Sequence, residues 1–153
     1  MQALELKIPP VVLVVLFSLA MWLVALWLPP LALPALWGQV LAIVLAGAGS
    51  AVALAGVLAF RRADTTVDPR VPQQTSSLVI KGIYRYSRNP MYLGFLLLLT
   101  ALACYLMNVA ALAMLPLFVL YMNRLQIVPE ERYLLEKFGA EYQAYTKQVR
   151  RWF

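Results

Sequence analysis

The chain has no histidine, a single cysteine, and charged residues at only 13% of its 153 positions. Without histidine there is no imidazole base, no histidine partner for a nucleophile and no histidine-ligated metal. Cys104 stands alone in an apolar run, so it can form neither an internal disulfide nor a cysteine-rich zinc site, and it reads as a small buried hydrophobe. Metal catalysis and catalytic triads are set aside, and no metal ligand is assigned. The shortage of charge also excludes an ordinary soluble domain, which carries about 25% charged residues. Disorder is excluded by the opposite excess, because 63% of the residues are hydrophobic and mean hydropathy is +0.75.

The charges are missing from two blocks, Ile8 to Phe60 and Met91 to Asn123. Apolar runs beyond ~18 residues read as membrane-spanning helices, so the expected class is an all-α integral membrane protein forming one membrane domain over 1–153. Each block is too long for one helix across a hydrocarbon core of ~30 Å at ~1.5 Å per residue. The first divides at Leu28-Pro29-Pro30-Leu31-Ala32-Leu33-Pro34, where three prolines remove helix donors and force an extended turn. The second divides at a tight hairpin near Tyr105–Val109. Four spans follow, at about 10–28, 37–60, 91–106 and 110–128, with a kink expected at Pro116. Gly47, Gly49 and Gly56 in the second span would let helix backbones approach closely. The first span is longer than the apolar core of a signal peptide and follows Glu5 beside Lys7, so it is read as retained.

Every Lys and Arg except Lys7 lies within Arg61–Arg88 or from Arg124 onward, and the two turns between spans have none. Four spans put all these cations on one face, which the positive-inside rule makes cytoplasmic, in a bacterial inner membrane with both termini on that side. The net charge of +6 then points to contact with anionic membrane lipids and away from nucleic acid.

Polar residues gather in two places. After a Pro- and Thr-rich loop at 61–77 comes Lys81-Gly82-Ile83-Tyr84-Arg85-Tyr86-Ser87-Arg88-Asn89-Pro90-Met91-Tyr92-Leu93-Gly94. Asn89 and Pro90 have the form of an N-cap and first helical residue, and the amides of that first turn favour an anion. Gly94, one turn on, permits close approach of a ligand or backbone. A membrane-interface anchor would also collect Tyr and Arg, so both readings stand on the residues alone. The second cluster, Asn123-Arg124 through Val128-Pro129-Glu130-Glu131 to Phe138-Gly139, contains adjacent carboxylates able to accept a ribose diol or a cation. They would equally complement the dipole of a short helix begun or kinked at Pro129 and ended by Gly139. Arg124 lies within the apolar boundary, where a cation needs a partner or a cavity. The tail at 140–153 has the spacing of a basic amphipathic helix on the membrane surface, serving as an anchor.

Gly82-Ile83-Tyr84-Arg85, Arg88-Asn89-Pro90-Met91-Tyr92-Leu93-Gly94, Glu130-Glu131-x-x-Leu134, Phe138-Gly139, Tyr142 and Tyr145 together resemble the isoprenylcysteine carboxyl methyltransferase family. Related membrane phospholipid methyltransferases share much of the pattern. The resemblance covers about 78–149 and implies a membrane-embedded methyltransferase that uses S-adenosylmethionine, with cofactor-binding elements at 78–94 and 129–153. It implies that Lys81, Gly82 and Tyr84 lie in an extended segment beside the cofactor, and that Asn89, Pro90, Tyr92 and Gly94 form its pocket. Glu130 and Glu131 would hold its ribose or amino group, and Arg88 and Arg124 would be the polar groups nearest the methyl acceptor. Asn89 stands where the eukaryotic enzymes have histidine, and an amide cannot titrate. The implied acceptor is lipophilic or lipidated, with a carboxylate preferred over an amine. Two readings compete. A transporter is disfavoured because no acidic residue falls in any span, and a non-catalytic membrane subunit would not bind the cofactor.

Overall fold

A computed structural model describes residues 5–63 and 77–153, and the described part is helical with no strand. Most of the loop expected at 61–77 lies outside the described residues. Four helices form the apolar body: α1 (Pro10–Trp27), α2 (Ala35–Arg62), α3 (Pro90–Leu106) and α4 (Val109–Tyr121). A six-residue π-helical segment (Met122–Ile127) carries the chain from α4 into α5 (Val128–Gln148). α1, α2 and the helical run begun by α4 are long and apolar enough to cross a membrane, and α3 is a slightly shorter apolar helix beside them. Their outer faces remain apolar, with Trp27 85% and Ile43 73% exposed. Large hydrophobic side chains around the whole perimeter require a lipid solvent, so this is an integral membrane protein.

Proline sets the ends of the elements. Pro10 is the first residue of α1 and Pro90 of α3, where the missing N–H costs nothing. α2 begins directly after Pro34, two residues before the expected start at position 37, and ends at Arg62. Pro116 stays inside α4, and the irregularity of this last span is the π segment. Pro129 helps explain that region. It has no N–H for the carbonyl of Leu125, which instead accepts the N–H of Leu6 at 3.0 Å.

The two uncharged turns meet at one end of the bundle. Leu31 donates its N–H to the carbonyl of Met107 (2.6 Å), and the Asn108 amide donates to the carbonyl of Leu28 (3.1 Å). Asn108 also caps α4, its Oδ1 accepting from the N–H groups of Ala110 and Ala111. It is 1% exposed, and these bonds explain how an amide survives burial in an apolar end. At the opposite end lie the arginines that close α2, the Gly82–Arg85 turn and α5.

α2 and α3 cross at glycine. A Cβ on Gly94 would lie 2.6 Å from the Gly49 carbonyl oxygen and 2.7 Å from the Ala53 Cβ; one on Gly56 would lie 2.5 Å from the Met91 Cγ. Gly49 and Gly56 therefore do what small residues in a span are expected to do. Gly47 does not, since it is exposed with nothing within 4 Å. Cys104 is half-buried on α3.

Candidate functional site

The polar end is organised around the start of α3 and the first turn of α5. Before α3, Gly82–Arg85 forms a 3-10 turn, entered through Gly82 at φ +65°. The segment expected to be extended is thus a turn beyond Lys81, and Lys81 and Gly82 are exposed. Tyr84 points inward, 5% exposed and edge-on to Phe60 at 5.3 Å between centroids. The π segment turns Gln126 and Ile127 into the interior and leaves Arg124 facing outward. α5 then brings Glu130 and Glu131 to the base of α3.

A partly enclosed cavity, about 60 Å³ in volume, lies between these elements. Its walls include Phe60, Tyr84, Tyr142 and Tyr145 as aromatic surfaces, with Arg88, Asn89, Tyr92, Glu130 and Glu131 as polar groups. The Tyr92 hydroxyl donates to Glu130 Oε2 (3.0 Å), and the buried Gln126 amide reaches the Tyr92 oxygen at 3.5 Å. Arg88 Nη2 lies 3.2 Å from Glu131 Oε1, yet the buried Nε of the same guanidinium has no partner. A buried donor without an acceptor is expensive, and in a cavity wall it favours an anionic or carbonyl ligand.

Burial acts in the same direction on Glu130 and on the surrounding tyrosines. α5 lies beyond the apolar span, and desolvation in the cavity, with Glu131 adding repulsion, pushes the Glu130 carboxyl up to about 7 against the opposing hydrogen bond from Tyr92. Burial likewise pushes Tyr142 up to about 12 and raises Tyr84 and Tyr145 further. These phenols stay protonated donors at any physiological pH. The Tyr145 hydroxyl uses its proton on the Tyr84 carbonyl, at 2.7 Å.

The tail departs most from expectation. Gly139, at φ 49° and ψ −120°, breaks α5 without ending it, and the helix resumes to Gln148. Tyr142, Tyr145 and Val149 do not lie on a membrane surface. They pack with Leu78, Leu134 and Phe138 over the cavity. Beyond Gln148 the chain runs extended across the base of α3. The carbonyl of Arg150 accepts the N–H of Arg88 (3.0 Å), and that of Arg151 accepts the Asn89 amide (2.9 Å). Asn89 therefore ties down the tail and does not cap α3 with its side chain. The Arg151 guanidinium forks onto Glu131 (3.0 and 2.6 Å), and the Trp152 indole N–H donates to Asn123 (3.1 Å).

Of the residues singled out from sequence, Tyr84, Arg88, Asn89, Tyr92, Glu130 and Glu131 come together around one cavity. Pro90 is buried beside them as the first residue of α3. Lys81 and Gly82 border a separate, open depression with Glu141. Gly94 is occupied by the α2–α3 crossing, and Arg124 is exposed outside the cavity wall. Sequence reasoning missed Phe60, Tyr142, Tyr145 and Arg151. Tyr142 and Tyr145 stand in the family-like pattern, but their helical spacing with Val149 and Trp152 reads as a membrane-surface anchor.

Comparison with known proteins adds a family. The sequence pattern of the family described as phospholipid methyltransferase matches residues 37–141, well over half of the chain. A Haemophilus influenzae protein, described only as uncharacterised, is 47% identical over 62 residues, covering 40% of this chain and 98% of that one. The protein-S-isoprenylcysteine O-methyltransferases of Saccharomyces cerevisiae and Schizosaccharomyces pombe are 39% identical over 75 residues and 35% over 72. Each match covers 47% of this chain but only 30% of the yeast enzyme. No solved structure matches the chain significantly.

Proposed function

Because the chain belongs to the phospholipid methyltransferase family, we propose that it is a membrane-embedded enzyme that methylates a lipid-like acceptor using S-adenosylmethionine. The observation that carries the reading is the cavity itself: a carboxylate pair and a guanidinium with an unmet donor, enclosed by aromatic rings at the polar end of apolar helices. That set suits a ligand with a flat ring at one end, a diol next to it, and an ammonium and a carboxylate together at the other end. Glu130 and Glu131 accept from the diol or ammonium, Arg88 Nε meets the carboxylate, and Tyr84, Tyr142 and Phe60 offer ring surface. Asn89, Pro90 and Tyr92 support the pocket from the start of α3. When bound, S-adenosylmethionine supplies a methyl group on a sulfonium.

The chain's own task is to align two partners and exclude water, which supplies most of the acceleration when charge disappears towards the transition state. An acceptor carboxylate has no proton to lose, so a site without histidine is adequate for O-methylation. Arg124, exposed at the apolar boundary outside the cavity wall, would meet the acceptor's anionic end only from outside the cavity. The two yeast relatives, named as isoprenylcysteine O-methyltransferases, support this carboxylate acceptor. Amine methylation of a phospholipid is the second reading, favoured by the Glu130 carboxyl at about 7, suited to take the proton that an ammonium must release. The charged face, with both termini, is assigned to the cytoplasm of a bacterial inner membrane.

The test is transfer of labelled methyl from S-adenosylmethionine to short prenylcysteine, fatty acid and aminophospholipid acceptors by the purified protein. Base-labile ester label on a carboxylate acceptor supports the first reading. Stable label on the aminophospholipid supports the second, and no transfer to any acceptor overturns both.

A further inference from the structure

The last residues of the chain are bonded to three residues of the cavity wall, Arg88, Asn89 and Glu131, and so engage groups that a ligand would need. Both oxygens of Glu131 are engaged: Oε1 by Arg88 Nη2 and Arg151 Nε, and Oε2 by Arg151 Nη2 at 2.6 Å. The same strap, 149–153, is held along its backbone by the Arg88 N–H and the Asn89 amide, and at its end by Trp152 on Asn123. Its anchors thus lie on the start of α3, on the π segment and on α5, the three elements that meet at the cavity. The enclosed space of about 60 Å³ is far below the ~300–1,000 Å³ of pockets that take small molecules. A ligand that uses Glu131 therefore competes with Arg151, which already engages both carboxylate oxygens.

We infer that Arg151 is a latch: its guanidinium occupies Glu131 as a stand-in for the donor groups of the ligand, and the strap opens when the ligand takes that carboxylate. The inference rests on the reading of this cavity as the methyl-donor site. A forked guanidinium presents two parallel N–H donors to one carboxylate. A group that replaces it there offers two donors or a cation, as a vicinal diol or an ammonium does. Lifting Arg151 also withdraws its carbonyl from Asn89 and that of Arg150 from Arg88, so strap and cavity floor loosen together. The Arg151–Glu131 pair is partly exposed, with the arginine side chain 35% accessible. Solvent reaches and screens the pair, so a ligand's own donors can replace the guanidinium there.

The test measures association of radiolabelled S-adenosylhomocysteine with the full-length protein in detergent, for wild type, Arg151→Ala and Trp152→Phe. Trp152→Phe loosens the far end of the strap without touching Glu131, and it decides the matter alone if Arg151→Ala fails to fold. Both variants are expected to associate about two- to fivefold faster, the range for losing one such contact. Unchanged rates in both overturn the latch. Slower association or weaker affinity in Arg151→Ala, with Trp152→Phe like wild type, also overturns it by making Arg151 a ligand-holding group. No binding to any of the three, with folded protein, overturns the donor-site reading and the latch together.

Discussion

Glu130 is held in the folded protein with its carboxyl pushed up to about 7, from an ordinary value of 4.5. A raised carboxyl binds its proton more tightly in the folded state than in the unfolded one. The stability linked to Glu130 is therefore full below pH 4.5 and falls as pH rises to about 7, then levels off. Ligand binding should run the other way, because only the ionised carboxylate accepts from a diol or attracts an ammonium. Affinity for S-adenosylhomocysteine should rise with pH through a midpoint near 7, and Glu130→Gln should flatten that profile in calorimetry. A wild-type profile in Glu130→Gln would assign the titration elsewhere. Tyr92→Phe removes the hydroxyl that steadies Glu130 Oε2. It should weaken the same affinity by about ten- to hundredfold while the protein remains folded, the worth of one hydrogen bond to a charged group.

At the scale of elements, the α2–α3 crossing makes the sharpest stability prediction. Gly94→Ala places a methyl against the Gly49 carbonyl and Ala53, so it should cost about 1–3 kcal/mol by overpacking. Gly47→Ala, in open space, should leave the melting temperature unchanged or slightly raised. Thermal unfolding of the two variants in detergent compares them directly. The elements themselves were legible in the sequence wherever one strong local rule operated. Blocks without charge marked the spans, and prolines marked the starts of α1 and α3 and the end of the first turn. What local rules did not carry was long-range. Asn89 has the form of an N-cap, yet its amide is claimed by a carbonyl far along the chain. Tyr142 and Tyr145 have the pattern of a membrane-surface helix, but their apolar partners turned out to be Leu78 and Leu134 rather than lipid. The π segment had only Pro129 to announce it. Arg151 carried no local signal, because its meaning depends on Glu131 lying opposite.

For the whole molecule, the two uncharged turns are bonded to each other at one end, and the cavity and arginine-rich segments occupy the other. Cysteines introduced at Ala32 and at Phe153 should therefore be labelled by a membrane-impermeant maleimide from opposite sides of the membrane; labelling from the same side would overturn the four-span arrangement. Most of the candidate site was legible as two separated clusters, and the fold supplies what spacing could not: α3 and α5 bring Tyr92 and Glu130 to 3.0 Å. That juxtaposition stands behind the central claim that the cavity is a methyl-donor site. Calorimetric titration of S-adenosylmethionine and S-adenosylhomocysteine into the detergent-purified protein tests it most directly. Saturable binding at one site per chain, weakened in Tyr92→Phe and in Glu130→Gln, is the predicted result. A folded wild-type protein that binds neither compound would contradict the account and return the chain to the class of non-catalytic membrane subunits.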